Sequence, residues 1–330
     1  MRRLPRQGGC RGAGLKGARG EPINYQPSTT NLTLVLVAAL MVVAALAGAC
    51  GNDAPSSNGR LKVVTTLPLF AEMVGAVGGD RVDVSSLAPA GADPHTFEPS
   101  PQDVQRVSGA RLGFGNGLDL EPATEKLLKA NLPGGAVYLQ LGERAAQLGA
   151  QVIDENPHLW LDLDTARLYA RIIRDSLVAA DPDGTADYNA NYDTYAATLD
   201  DVAAYARTRI DSIPAANRKL VTTHDAFPYL ARYLGLEIVA FAEEGPGQDI
   251  SPQAAAGLRD ALKQQNVPAV FTEPQIGSGN KVLESAASDA GVQVCTLYSD
   301  SFDDKVRTYA ELMRFDADEL ARCLGGSSGG

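Results

Sequence analysis

The chain has 330 residues, 45% of them hydrophobic and 21% charged, an ordinary globular composition long enough for one large domain or two lobes with separate cores. Residues 1–49 carry six basic side chains against Glu21, so the net charge of −11 becomes −16 from residue 50 onward. An acidic body argues against a nucleic-acid partner and is compatible with cation capture, though a solvated acidic surface is its commoner meaning.

The first segment reads as a targeting sequence. Leu32 to Ala49 is an apolar run without charge that follows a basic stretch and ends in Ala47-Gly48-Ala49 before Cys50. This is the order of a secretory signal. A Cys directly after small residues resembles a bacterial lipobox, with Leu46 four rather than three positions ahead of it. The expectation is a signal over 1–49, a lipidated Cys50 and an extracytoplasmic body anchored to the cell membrane. An uncleaved membrane anchor is the alternative and puts the body on the same side. Gly51 to Gly59 is a flexible tether, and residues 325–330 read as a disordered tail. With Cys10 in the signal and Cys50 assigned to lipid, Cys295 and Cys323 remain. Outside the cytoplasm they are expected as a disulfide tying a strand to the last helix.

From Leu61 strands and helices alternate, which predicts parallel sheets with helices on their faces. Strands are predicted at 61–66, 82–87, 111–115 and 136–140. Helices are predicted at 67–77, with Pro68 in the first turn, at 101–108 behind Ser100 as N-cap, at 122–130 and at 164–180. Then comes the longest periodic segment. Tyr188, Tyr192, Tyr195, Leu199, Val202, Ala206, Ile210 and Ile213 recur at helical spacing up to Pro214. A helix of about 28 residues would span roughly 42 Å and could join two lobes without letting them swing freely. The alternation restarts with strands at 219–223, 237–241, 269–272 and 292–297. Helices are predicted at 227–234, at 251–265 with Ser251 as cap, at 280–290 and at 304–324.

The chain has only three histidines: His95, His158 and His224. His95 lies in Asp93-Pro94-His95-Thr96-Phe97-Glu98-Pro99-Ser100-Pro101, where three prolines stiffen a loop after a strand. His158 follows Pro157, and His224 ends an apolar strand. Open α/β sheets bind ligands at such positions. A lone histidine is usually a solvated or core residue, but three in equivalent settings suggest a metal centre. A tetrahedral zinc ion leaves one place for a carboxylate or water. His95 and His158 belong to the first half and His224 to the second, so a shared metal would lie in the cleft between them. Asp225, Glu273 and Asp300 all stand after strands of the second half as candidate fourth ligands. Asp225 or Glu273 could instead orient or screen a ligand histidine from outside.

The stretches Asp93–Pro101, Asn156–Asp162, Thr223–Leu230 and Thr296–Ser301, in this order and with a long helix between the second and third, resemble the zinc- and manganese-binding solute receptors of bacterial ABC transporters. The likeness covers about residues 61–324. It implies an α/β fold of two lobes, each a small parallel sheet flanked by helices, joined by one long backbone helix with the metal cleft between them. The corresponding segments are a signal (1–49), a lipidated Cys and tether (50–60), an N-terminal lobe (61–181), the linking helix (182–214), a C-terminal lobe (215–324) and a tail (325–330). Carried over by motif, His95, His158, His224 and Asp300 are the metal ligands, with Asp225 and Glu273 outside them. Three imidazoles and one carboxylate favour Zn2+, with Mn2+ or dual specificity as the alternative. The resemblance further implies a monomer that delivers its ion to a membrane permease and is not an enzyme. The His-rich loop of many zinc members is missing, which raises the question of a metal-donor protein. The competing readings are a zinc hydrolase, with Glu98, Asp225 or Glu273 as base, and a surface adhesin. His-Glu-x-x-His and a nucleophile elbow are absent from the sequence.

Overall fold

A computed structural model describes residues 59–325 apart from 244, 246, 248 and 249. The expected signal, Cys50, nearly all of the tether and the last five residues lie outside the described residues. Among the described residues no helix is long and apolar enough to cross a membrane.

The first lobe is built on β1 (Leu61–Thr65), β2 (Val82–Ser86), β3 (Leu112–Gly115) and β4 (Val137–Gln140), all parallel, in the order β2-β1-β3-β4. Val63 and Val64 point to opposite faces of β1 and both are buried, because helices cover the sheet on both sides. Those helices are α1 (Pro68–Gly78), α2 (Asp103–Ser108), α3 (Pro122–Asn131), α4 (Leu141–Gln147) and α5 (Leu163–Ala180). The second lobe repeats the arrangement with β5 (Lys219–His224), β6 (Glu237–Glu243), β7 (Ala269–Thr272) and β8 (Gln293–Thr296), again parallel, in the order β6-β5-β7-β8. Its helices are α7 (Pro228–Leu234), α8 (Pro252–Gln264), α9 (Ser278–Ala290) and α10 (Tyr309–Leu324). In each sheet the chain leaves the second-placed strand in both directions. Each therefore has a topological switch point, where an α/β sheet opens a crevice beyond its strand ends.

Helix α6 (Thr185–Asp211, 27 residues) joins the lobes. Its stripe of Tyr188, Tyr195, Leu199, Val202, Ala206 and Ile210 is buried against α1 and α5 on one side and α10 on the other. Tyr195 donates to Glu72 of α1 (3.0 Å) and Tyr205 to Asp318 of α10 (2.6 Å). Separate cores, one of the options the length allowed, are not what forms. The main core runs unbroken from Phe70 and Trp160 through Leu199 and Val202 to Phe271 and Leu320. Smaller clusters sit on the outer faces, one around Val64 and Val107 and one around Val221 and Leu258. The linking helix is thus embedded in shared apolar packing that a wide hinge motion would have to expose to water.

Beyond shifts of a residue or two at strand and helix ends, two helix starts and one additional helix differ from expectation. Helix α2 starts at Asp103 rather than 101, and Ser100 is not its cap: its N–H and hydroxyl both donate to Asp103 Oδ2 (2.6 and 2.9 Å). Helix α4 follows β4 without a break and carried no turn signal that would have announced it. The last helix starts at Tyr309, not 304. Asp303 accepts the N–H groups of Lys305 and Val306 in a local turn, and Thr308 and Glu311 then form a capping box. Ser251 caps α8 by accepting from Ala254 N–H (3.1 Å).

Cys295 of β8 and Cys323 of α10 form a disulfide that closes a loop 28 residues long. A loop of that length corresponds to about 3–4 kcal/mol of stabilisation in the chain-entropy picture. Replacing both cysteines by Ser should lower the unfolding free energy by about that amount in a urea titration.

Candidate metal site

The C-terminal ends of the two sheets face each other, and the candidate residues meet between them. His95 stands in the loop after β2, where Asp93 accepts its backbone N–H (3.0 Å) and the Thr96 hydroxyl (2.6 Å). His158 follows α4 and opens a short 3-10 turn, Leu159–Leu161. Trp160 of this turn donates its indole N–H to Ser299 O (2.9 Å). His224 is the last residue of β5, beside the switch point of the second sheet, and Asp300 follows β8.

One ligand atom from each of His95, His158, His224 and Asp300 lies within 4.8 Å of all the others. His158 Nε2 is 3.3 Å from both His95 Nε2 and His224 Nε2, and 3.3 Å from Asp300 Oδ1. His224 Nε2 is 3.5 Å from Asp300 Oδ2. Four ligands at 2.0–2.1 Å from one ion in a tetrahedron stand about 3.3 Å apart, the length of the three edges that meet at His158 Nε2. His158, His224 and Asp300 are buried and His95 is half-buried at the mouth.

The opposite ring nitrogens explain why the ε-nitrogens converge. His158 Nδ1 lies 2.9 Å from Asn156 Oδ1, and His224 Nδ1 lies 2.8 Å from Glu273 Oε1. Both partners are acceptors, so both Nδ1 atoms carry hydrogen and both Nε2 atoms present a lone pair inward. Lone pairs facing each other at this distance repel unless a proton or a metal ion lies between them. Asp300 Oδ1 is buried without a hydrogen-bond partner, while Oδ2 accepts from Gln275 (3.2 Å) and lies 3.0 Å from the Ser299 hydroxyl.

Burial and mutual charge set the protonation of this cluster. Burial, with the His224 charge behind it, pushes His95 down to about 3. Burial also holds His158 well below the usual imidazole range, reinforced by His224 and then His95. Burial acts against the charged form of His224 too, but the Glu273 carboxylate, with Asp300 and Asp93 behind it, outweighs this and raises His224 to about 9. Burial raises Asp300 to about 7 against the opposing effect of His224. Between about pH 7 and 9 these shifts leave one proton in the free site, on His224.

Of the sequence-derived candidates, the structure brings His95, His158, His224 and Asp300 together and puts Glu273 behind His224. Asp225 is not one of the converging groups. Its backbone carbonyl instead accepts from Asn156 Nδ2 (2.5 Å). Sequence reasoning missed Asn156, Gln275 and Ser299. Only Asn156 carried a signal, standing two residues before His158 in a segment stiffened by Pro157.

This site on this fold defines a receptor that encloses one small cation between two lobes. Residues 63–323 match the family model described as zinc-uptake complex component A, periplasmic (ZnuA), and the chain belongs to that family. It is a substrate-binding protein of a metal ABC transporter, and the family consists of solute-binding receptors, not enzymes. The hydrolase reading is set aside. The chain is 29% identical over 311 residues to a manganese ABC transporter substrate-binding lipoprotein, PsaA, of Streptococcus anginosus, covering 89% of this chain and 98% of that one. It is 28% identical over 313 residues to an iron ABC transporter substrate-binding lipoprotein, MtsA, of Streptococcus pyogenes serotype M1, with coverages of 89% and 98%. The periplasmic zinc-binding protein TroA of Treponema pallidum superposes with a TM-score of 0.75 at 28% identity, over 81% of this chain and 99% of that one.

If Glu273 is what keeps the proton on His224, Glu273→Gln removes the charge but leaves an acceptor. NMR titration of the metal-free chain should then show the His224 resonance moving from about 9 to below 7.

Proposed function

We propose that this chain captures Zn2+ outside the cytoplasm through His95, His158, His224 and Asp300 and presents it to the membrane permease of its transporter. The observation that carries this reading is the convergence of three imidazole Nε2 atoms and one unpartnered carboxylate oxygen, all within 4.8 Å of one another and with the three distances from His158 Nε2 at a tetrahedral edge length. Three nitrogens and one oxygen form a borderline set that suits zinc better than the harder, more oxygen-seeking manganese. Gln275 donating to Asp300 Oδ2 supports the same reading, because it leaves the other carboxylate oxygen for the ion. Relatives named for manganese and iron make those ions the competing cargo.

The proposal extends to the ends of the chain. Residues 1–49 serve as an export signal, Cys50 carries the lipid, and residues 61–181, 182–214 and 215–324 act as lobe, linker and lobe. The relatives named lipoproteins support the anchor.

Each of His95→Ala, His158→Ala and His224→Ala should lower zinc affinity about 100-fold or more with the circular dichroism of the fold retained, since even partners outside the ligand shell are worth 10–100-fold. Competition calorimetry checks both the loss and the selectivity. Manganese displacing zinc at equal concentration would overturn the choice of metal.

Metal binding must also displace protons. In the free protein His224 keeps its proton up to about pH 9 and Asp300 titrates near 7, whereas both are bare when loaded. The proton-bound form competes with metal, so zinc affinity should rise with pH from about 7 to 9 and fall more steeply below 7 as Asp300 protonates. Calorimetry at pH 7.5 in buffers of different ionisation enthalpy should report about one proton released per zinc.

A further inference from the structure

The four ligands come from two lobes, so something must fix the spacing between the lobes at the cage itself. Residues 153–156, just ahead of His158, are held to the second lobe by three hydrogen bonds. Tyr229 of α7 accepts from Ile153 N–H (3.0 Å) and donates to Asn156 O (2.6 Å). Asn156 Nδ2 donates to Asp225 O (2.5 Å), one residue after His224.

The same amide also orients His158. Asn156 Oδ1 accepts from the His158 backbone N–H (3.1 Å) and stands 2.9 Å from His158 Nδ1. A backbone N–H can only donate, so the amide oxygen must face His158 and the NH2 must face the Asp225 carbonyl. One buried side chain thus touches the ring of a ligand from one lobe and the backbone next to a ligand from the other.

The chain goes to some lengths to place this amide. Asp154 and Glu155 both have positive φ (45° and 59°), and Asn156 N–H closes the turn on Ile153 O (2.8 Å). Mirror-image turns of this kind favour Asn and Gly at the central positions. A Glu held there implies surroundings that override local preference.

We infer that Asn156 is an interlobe strut: its Asp225 arm fixes the distance between His158 and His224, and so sets how long a bound metal ion is retained. It is a positioning residue, and the inference rests on the four-ligand reading above.

Asn156→Asp separates the two arms. The carboxylate keeps the acceptor for His158 Nδ1–H, and a stronger acceptor there makes the imidazole a better ligand. The donor to Asp225 O is lost, and two acceptors now face each other. A residue that only orients His158 would release metal at the wild-type rate or more slowly after this change. A strut would release it about 10-fold faster or more, at the low end of the effect for groups behind a ligand shell. The full chain is loaded with Zn2+, mixed with excess chelator in a stopped-flow instrument, and followed for release. Release at least tenfold faster than wild type supports the strut, and any smaller change overturns it.

If Asn156→Asp does not fold, Asn156→Ser decides by the same criterion. Its oxygen remains available to the His158 backbone N–H, as in local Ser turns, while the donor to Asp225 O is lost. A wild-type chain that binds neither Zn2+ nor Mn2+ would sink the four-ligand reading itself. A wild type that binds, beside a variant that releases no faster, would sink only the strut.

Discussion

Imidazole ε-nitrogens brought to 3.3 Å, with room between them only for a proton or a metal ion, are the constraint around which the rest of the molecule is arranged. They face inward because the outer nitrogens of His158 and His224 are each committed to an acceptor, Asn156 and Glu273. Such an arrangement is unfavourable when bare and favourable around a cation. A proton and a metal ion compete for the same small volume, and the buried carboxylates of Glu273 and Asp300 supply the opposite charge that either cation requires.

Holding that geometry requires stiff surroundings, and the fold provides them at several levels. Parallel sheets put strand ends, with their loops, at one edge of each lobe. The shared order of four strands puts a switch point at each of those edges. The continuous core through α6 resists large relative movement of the lobes. Closer in, Trp160 bonds Ser299 and the Gly91 N–H bonds the Ser301 hydroxyl (2.8 Å), so the Asp300 loop is tied to the first lobe on both sides. Asp316 of α10 accepts the Tyr298 N–H (2.9 Å), and the disulfide joins the same helix to β8. Asp300 is therefore braced through the last helix, far along the chain from the histidines it faces.

The likeness to receptors named for zinc, manganese and iron fits a scaffold that keeps its architecture while the cage is tuned. Around the candidate cage of this chain, polar groups that do not face its centre set its geometry. Gln275 donates to one oxygen of Asp300, and Asn156 and Glu273 decide which nitrogen of His158 and His224 turns inward.

Much of this was legible in the sequence because it depends on local chemistry. The stripe from Tyr188 to Ile210, the strand–helix alternation and the prolines around His95 and His158 act over a few residues, and periodicity and ring constraints are read directly. Three histidines at strand ends and loops were enough to name the candidate ligands. The sequence left Asp225, Glu273 and Asp300 equivalent, because all three follow strands of one lobe, and family resemblance alone separated them. It was silent on Gln275 and Ser299, offered for Asn156 only its place beside Pro157 and His158, and misplaced the start of the last helix, whose capping box competes with an Asp303 turn just upstream. The amino-acid order settled which groups could bind a cation. Tertiary structure alone decided which of them converge, because a cage shared by two lobes depends on distances between residues as far apart as His95 and Asp300, set by the packing of everything between them.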